Sequence, residues 1–234
     1  MTLPPGQRRV DGFPRFGTHL HHPAPAVPGD PVIDVAGAVT ERVTFPVAEL
    51  AGLPRTERTA DFHCVAGWSA TGLRWEGVAF ATFYRAVVEP ALAPGSTVTH
   101  VVFRGLDRFE AVVLLEDAMA DDVLIADHLD GRPLDSDHGA PVRLVSPSQY
   151  GYMSTKHLCR IEVHTSEPQR RPKAATTIAG LGLRSGLVAR HPRARVWEEE
   201  RNPTFPNWFL RPVYRALIAP IALLSARGRR SPTP

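Results

Sequence analysis

A chain of 234 residues, 43% hydrophobic and 22% charged, has ordinary globular composition and can bury a core without disulfides or structural metals, which excludes a wholly disordered chain, a coiled coil and a collagen-like rod. Two cysteines, Cys64 and Cys159, are too few for a disulfide framework and show no CxxC zinc spacing. The net charge of +3 divides unevenly: 14 basic and 21 acidic residues up to Glu167 give −7, and 13 basic and 3 acidic residues from Pro168 onward give +10. The basic residues of the tail are dispersed among Trp, Pro and Leu and carry no nucleic-acid-binding signature. They predict a tail strapped across its own acidic body, with no nucleic-acid partner. No run reaches the roughly 18–20 apolar residues of a membrane span, and Met1 to Arg15 lacks the apolar core of an export signal, so a cytoplasmic protein is expected.

Residues 1–30, rich in Pro, Gly and His, read as an extended arm. VIDVAG at 32–37 alternates as a strand, and 43–54 reads as a strand edge and a short helix. DFHCVAGWSATGLRWEGV at 61–78 reads as a strand running into a Gly-rich loop. Phe80, Phe83, Tyr84 and Val87 lie at helical spacing, with Pro90 as the stop. Strands follow at 97–103 and 109–115 around a GLDR turn, at 123–127 before a DGRP turn, and at 141–147 and 157–163. Residues 168–207 show little periodicity. Leu210, Val213, Leu217, Ile221 and Leu224 return to helical spacing, and Pro220 should kink or divide that helix. Strands and short helices mix without a βαβ rhythm, which predicts an α+β class. The expected division is a body over 1–167, including the arm, and a basic extension over 168–234 packed on it.

A few residues stand out chemically. Cys64, in a stretch of small residues, offers the best nucleophile and soft-metal ligand, against the common alternative of a buried inert thiol; Cys159 reads as strand packing. Of 27 basic residues 25 are arginine, the lysines being Lys156 and Lys173. Arg143 opens an apolar strand and Lys156 follows thirteen residues later, after Ser154 and Thr155 in a Gly-containing loop. Arginine, lysine and hydroxyls together can cradle a phosphate; taken singly they read as surface charges. The HLHH segment, His19 to His22, reads as a surface loop rather than a metal cluster.

Three segments, HCVAGWSATGLRWEGV, VVFRGLD and DHGAPVRLVSPSQYGYMSTKHLCRIEV, resemble in order the sulfite oxidase family of molybdopterin-dependent oxidoreductases, in its haem-free bacterial branch. The resemblance implies that fold, a molybdenum–molybdopterin cofactor and oxygen-atom transfer on a small substrate, with an unidentified electron donor or acceptor. It implies Cys64 as the molybdenum ligand and catalytic centre. It implies Asp107, His138, Arg143, Ser154, Thr155 and Lys156 as pterin and phosphate contacts, and Arg15, Phe16, Gly17, Thr18 and His19 as arm contacts. The family's RNH-type stretch reads Phe16-Gly17-Thr18-His19 here, and the tyrosine beyond the lysine loop has no counterpart in HTSEPQRRPK. A cofactor-binding subunit without turnover, or a partner- or membrane-docking protein built on the C-terminal helix, is the alternative.

Overall fold

The computed structural model describes residues 2–16, 23–168 and 190–227, with side chains up to Leu223. Alternating burial, two faces per strand, organises the chain into two sheets and three helices. The strands are β1 (Arg8–Arg9), β2 (Val32–Gly37), β3 (Val43–Pro46), β4 (Arg55–His63), β5 (Trp68–Ala79), β6 (His100–Gly105), β7 (Glu110–Leu114), β8 (Leu124–Leu129), β9 (Arg132–Pro133), β10 (Arg143–Val145) and β11 (Leu158–His164). The helices are α1 (Phe80–Phe83), α2 (Leu115–Ala118) and α3 (Asn207–Arg227). The expected α+β class holds. Among the described residues no helix is long and apolar enough to cross a membrane.

β5 is the spine of the first sheet. β4 pairs antiparallel along one edge, from Arg55↔Val78 to His63↔Ser69. Along the opposite edge β1 runs parallel to the start of β5, Arg8 facing Trp68, and β8 antiparallel to its end. β9 and β10 then pair with β8. The second sheet has the order β3-β2-β11-β6-β7, with β2 and β11 parallel and the remaining pairs antiparallel.

The first sheet is covered on both faces. Val78, Ile125 and Leu144 join the larger core, shared with Ile33, Val101, Phe103 and Ile161 of the second sheet. Their neighbours Leu124, Ala126 and Val145 point the other way, into a smaller cluster with Cys64, Trp68 and Trp75. That smaller cluster builds the site.

Two expectations are corrected. The segment 61–78 is not a strand followed by a loop but a strand pair, β4 and β5, joined by four residues, Cys64 to Gly67. Of its glycines, Gly77 marks a close approach inside the strand: a Cβ there would lie 2.1 Å from the Ile125 carbonyl oxygen, where the β5–β8 register shifts. Pro220 does not divide the C-terminal helix, and α3 is continuous through Pro212 and Pro220. Both prolines are exposed, as are Trp208 and Ala216 one turn earlier, so the carbonyls each proline leaves without an N–H partner face water. Similarly, the helical path after α1 continues past Val88 into a 3₁₀ turn, Glu89–Ala91, which takes Pro90 near its start.

The described tail lies against the body. Ala194 and Val196 are fully buried in the larger core, Arg195 pairs with Asp117 at 2.8 Å and Arg193 with Glu116, and Ile218 of α3 packs on the smaller cluster.

Candidate functional site

Cys64 sits where β4 turns into β5. Its amide donates to the Trp68 carbonyl at 2.8 Å, and the Gly67 amide returns to the Cys64 carbonyl at 2.9 Å, with Gly67 at φ 100°. The turn needs glycine there, because a side chain is strained in that conformation. The thiol is buried. Burial pushes its pKa up to about 12, against the pull of the Ala66 amide and the Arg201 charge. Gln7 Nε2 donates to the Cys64 carbonyl at 3.1 Å, while Gln7 Oε1 accepts from the Ser69 hydroxyl at 3.0 Å. His63 Nδ1 meets the same hydroxyl at 2.8 Å; since that hydroxyl already donates to Gln7, His63 is the donor in that contact.

The second part of the site is cationic. Arg143 is fully buried and donates to carbonyls alone, of Leu144 (3.3 Å), His138 (3.0 Å) and Ser154 (3.2 Å). Phe13, Phe62 and Trp75 surround its guanidinium, with ring centroids 5.2–5.8 Å away. Burial pushes Arg143 down to about 9, so it is charged at neutral pH. Lys156 donates to the Asp137 carbonyl at 2.5 Å. Burial first, then the charges of Arg143 and Arg15, push its pKa down to about 7. Arg15, 4% exposed in its side chain, pairs with Asp137 at 3.4 Å. Phe62 joins the two parts: its ring lies 5.5 Å from the Arg143 guanidinium and 5.9 Å from Trp68, the residue that closes the Cys64 turn.

The remaining expected residues fall around these two parts. Phe16 packs edge-on against Trp68 at 5.5 Å, on the Cys64 side. His138 has both ring nitrogens engaged, to Asp135 at 2.7 Å and to the Phe13 carbonyl at 2.8 Å, and stacks on Phe13, so it fastens the arm to the Arg143 loop. The Ser154 hydroxyl accepts from the Ser146 amide at 3.1 Å. Thr155 is fully buried, and its hydroxyl has no hydrogen-bond partner among the described residues. Asp107 is exposed, one oxygen accepting from the Phe109 amide at 2.9 Å. Gly17, Thr18 and His19 lie outside the described residues, as does the rest of the HLHH segment.

Sequence reading missed Gln7, His63, His157 and Arg201. His157, buried at φ 54°, links the Gly139 carbonyl through its amide and the Ala140 carbonyl through its ring. Arg201 sits in WEEERNP, which looks like a solvated charge run; the signal lay in its paired glutamates.

A family model described as "Oxidoreductase molybdopterin binding domain" matches residues 21–171. The chain belongs to this family. Among curated relatives of this molybdopterin-binding chain is a putative protein-methionine-sulfoxide reductase subunit YedZ1 from Azospira oryzae, 29% identical over 58% of this chain and 50% of that protein. Another is the protein-methionine-sulfoxide reductase catalytic subunit MsrP from Gluconobacter oxydans, 28% identical over 66% and 52%. A third is the uncharacterized oxidoreductase YuiH from Bacillus subtilis, 29% identical over 56% and 63%. The chain thus spans half to about three-fifths of the length of these relatives. Among solved structures, the sulfane dehydrogenase SoxCD from Paracoccus pantotrophus superimposes with a TM-score of 0.52 at 22% identity, over 61% of this chain and 40% of that one, which establishes a shared fold. The family implies a molybdenum cofactor, and the fold is of the sulfite-oxidase kind.

The residues present fit that group. Among the described residues no three His, Cys, Asp or Glu side chains gather to hold a metal alone, so a thiolate at Cys64 suits a metal that brings further sulfur ligands with it. Arg143 is a buried charge without a carboxylate partner among the described residues, an arrangement costly unless an anion completes it. Buried Trp68 Nε1, Trp75 Nε1 and Thr155 Oγ1 also have no partner, as expected of groups that await a polar ligand.

Proposed function

We propose that this chain is a molybdenum-cofactor oxidoreductase that moves an oxygen atom to or from a small substrate, with sulfoxides as the first class to test. The observation that carries this reading is the fully buried Arg143, held by carbonyls alone beside part-buried Lys156. In this reading Arg143 would hold the cofactor's phosphate as a charged donor and Lys156 would add a point charge. Arg15 and Thr155 complete that end, and Phe16 and His138 keep the arm in place. Cys64 supplies the protein's sulfur to the metal, and Trp68, Trp75 and Phe62 exclude water between the two ends. Bound there, the cofactor would supply the redox and oxygen-transfer chemistry, the protein supplying position and electrostatics. A sulfoxide would take two electrons and two protons and leave as sulfide and water, the electrons arriving from a separate donor.

Support comes from the family match and from relatives that bear the name of methionine-sulfoxide reductases. The test is elemental analysis of protein purified from a host that makes molybdopterin, together with a reduced-viologen assay on sulfoxides. About one molybdenum per chain is expected. Cys64→Ser should abolish activity and lower metal content, since a hydroxyl is a harder and less readily ionised ligand, whereas Cys159→Ser should change neither. Purification with zinc, or with no metal, would refute the assignment.

A further inference from the structure

The Cys64 turn is not held by its own two backbone bonds alone. Of its four residues, three present carbonyls that are gripped from elsewhere. Gln7 Nε2 donates to the Cys64 carbonyl at 3.1 Å, Arg201 Nη1 donates to the Val65 carbonyl, and the Arg8 amide donates to the Gly67 carbonyl at 3.0 Å. None of these donors lies within the residues 21–171 that match the family. The grip comes from the two terminal segments, and Arg201 ties those segments to each other by donating to the Pro5 carbonyl at 3.2 Å as well.

Arg201 is itself fixed on every side. It is 1% exposed. Its Nε donates to Glu199 Oε1 at 3.1 Å, and its guanidinium lies over the Tyr150 ring at 5.1 Å. Glu199 takes a second arginine, Arg211 from α3, at 2.7 and 2.5 Å. Glu199 stands at φ 55°, a strained conformation for a residue with a side chain, of the sort that persists where its surroundings over-determine it. Gly6, at φ 69°, lies directly opposite: a Cβ there would stand 2.8 Å from Arg201 Nη2, 2.9 Å from Glu199 Oε1 and 3.0 Å from Arg211 Nε. Two guanidinia share one carboxylate, so the group keeps a net positive charge next to the turn.

We infer that Arg201 is the positioning residue of the Cys64 turn: with Gln7 it clamps that turn in the one conformation a metal on Cys64 requires, so that the C-terminal segment, and not the family-matched body alone, sets the metal's protein ligand. The inference rests on the reading of Cys64 as that ligand. Arg201 touches neither substrate nor cofactor in this account; it acts through the Val65 carbonyl.

The test uses the full chain with Arg201→Gln, Arg201→Lys and Gln7→Leu. In metal-free protein, amide hydrogen exchange at Cys64 and Gly67 should rise at least tenfold in Arg201→Gln, while Val102 and Ile161 in the second sheet keep their protection. Gln7→Leu, which leaves the buried charges in place, should show the same local effect, and Arg201→Lys should rescue part of it by keeping one carbonyl contact. In protein loaded with cofactor, X-ray absorption at the molybdenum edge should show one sulfur neighbour fewer in Arg201→Gln, with the pterin retained. Exchange that rises uniformly across the chain, in Arg201→Gln and Gln7→Leu alike, would make both residues merely structural and overturn the clamp. A sulfur count that drops in Cys64→Ser but not in Arg201→Gln overturns the clamp alone. A count unchanged in both overturns the reading of Cys64 on which it rests.

Discussion

Replacing Arg143 by methionine should leave the empty protein's stability nearly unchanged and weaken its grip on cofactor. Burial takes the Arg143 pKa from 12.5 to about 9, which at 1.36 kcal/mol per unit corresponds to about 5 kcal/mol of cost for the buried charge. The guanidinium's three carbonyl bonds come from a charged donor and return about 1.5 kcal/mol or more each. Its contacts with Phe13, Phe62 and Trp75 are kept in part by the methionine sulfur, which also favours aromatic neighbours. The relief of the buried charge and the loss of these bonds therefore nearly offset each other in the metal-free form, whose melting temperature should move by less than about 4 °C. The loaded form is the one that responds. Loss of a charge-assisted contact worth about 1.5–3 kcal/mol weakens cofactor retention by about ten- to a hundredfold. Differential scanning calorimetry of the metal-free variant and a cofactor-release assay on the loaded one measure the two arms. A lower melting temperature with unchanged cofactor release would refute the reasoning and make Arg143 a structural residue.

Lys156 makes anion binding pH-dependent. With its pKa near 7 in the free protein and raised again by a bound phosphate, binding at pH 8 should take up about one proton and weaken as pH rises above 7; calorimetry in buffers of different ionisation enthalpy measures this, and Lys156→Arg should abolish it. The same depressed value means that the unfolded chain binds the extra proton between about pH 7 and 10.5, so Lys156 makes the metal-free protein's stability rise with pH across that window, a contribution that a pH series of denaturant titrations should find missing in Lys156→Met. Ending the chain before Arg190 should remove buried Ala194, Val196 and Leu210 and give an aggregating or much less stable protein; light scattering and thermal melting should show it, and a truncated chain that stays monomeric and equally stable would identify the tail as a docking element.

What the sequence disclosed follows the range of the forces involved. β2 was legible to the residue because Val32–Gly37 alternates between buried and half-buried positions on one sheet, a local pattern. β5 was hidden because its glycines read locally as a loop, although one of them, Gly77, serves a neighbour far along the chain, the Ile125 carbonyl. Pro220 of α3 looked like a kink or a break because propensity carries no information about which face meets water. In the site, Cys64, Arg143 and Lys156 each had a bland reading, as an inert thiol or a surface charge, and it was the ordered resemblance of three segments to a known family that singled them out. Gln7 and Arg201 did not, since their roles depend on bonds to carbonyls 57 and 136 residues away, and any side chain with an N–H donor could in principle make such a bond.

The separation of those partners has a further consequence, for timing. Arg201 reaches Pro5 across 196 positions, and contacts so distant in sequence form late, because a long loop must close before they return any energy. During synthesis the body up to Glu167 can pair its sheets while residue 201 has yet to be made, since domains assemble from the N-terminal side as the chain emerges. In that interval the Cys64 turn has only its N-terminal holders, Gln7 and Arg8, and the cluster beside it still lacks Ile218 of α3. The last grip on the turn, from Arg201 to the Val65 carbonyl, therefore comes only when the end of the chain has been made.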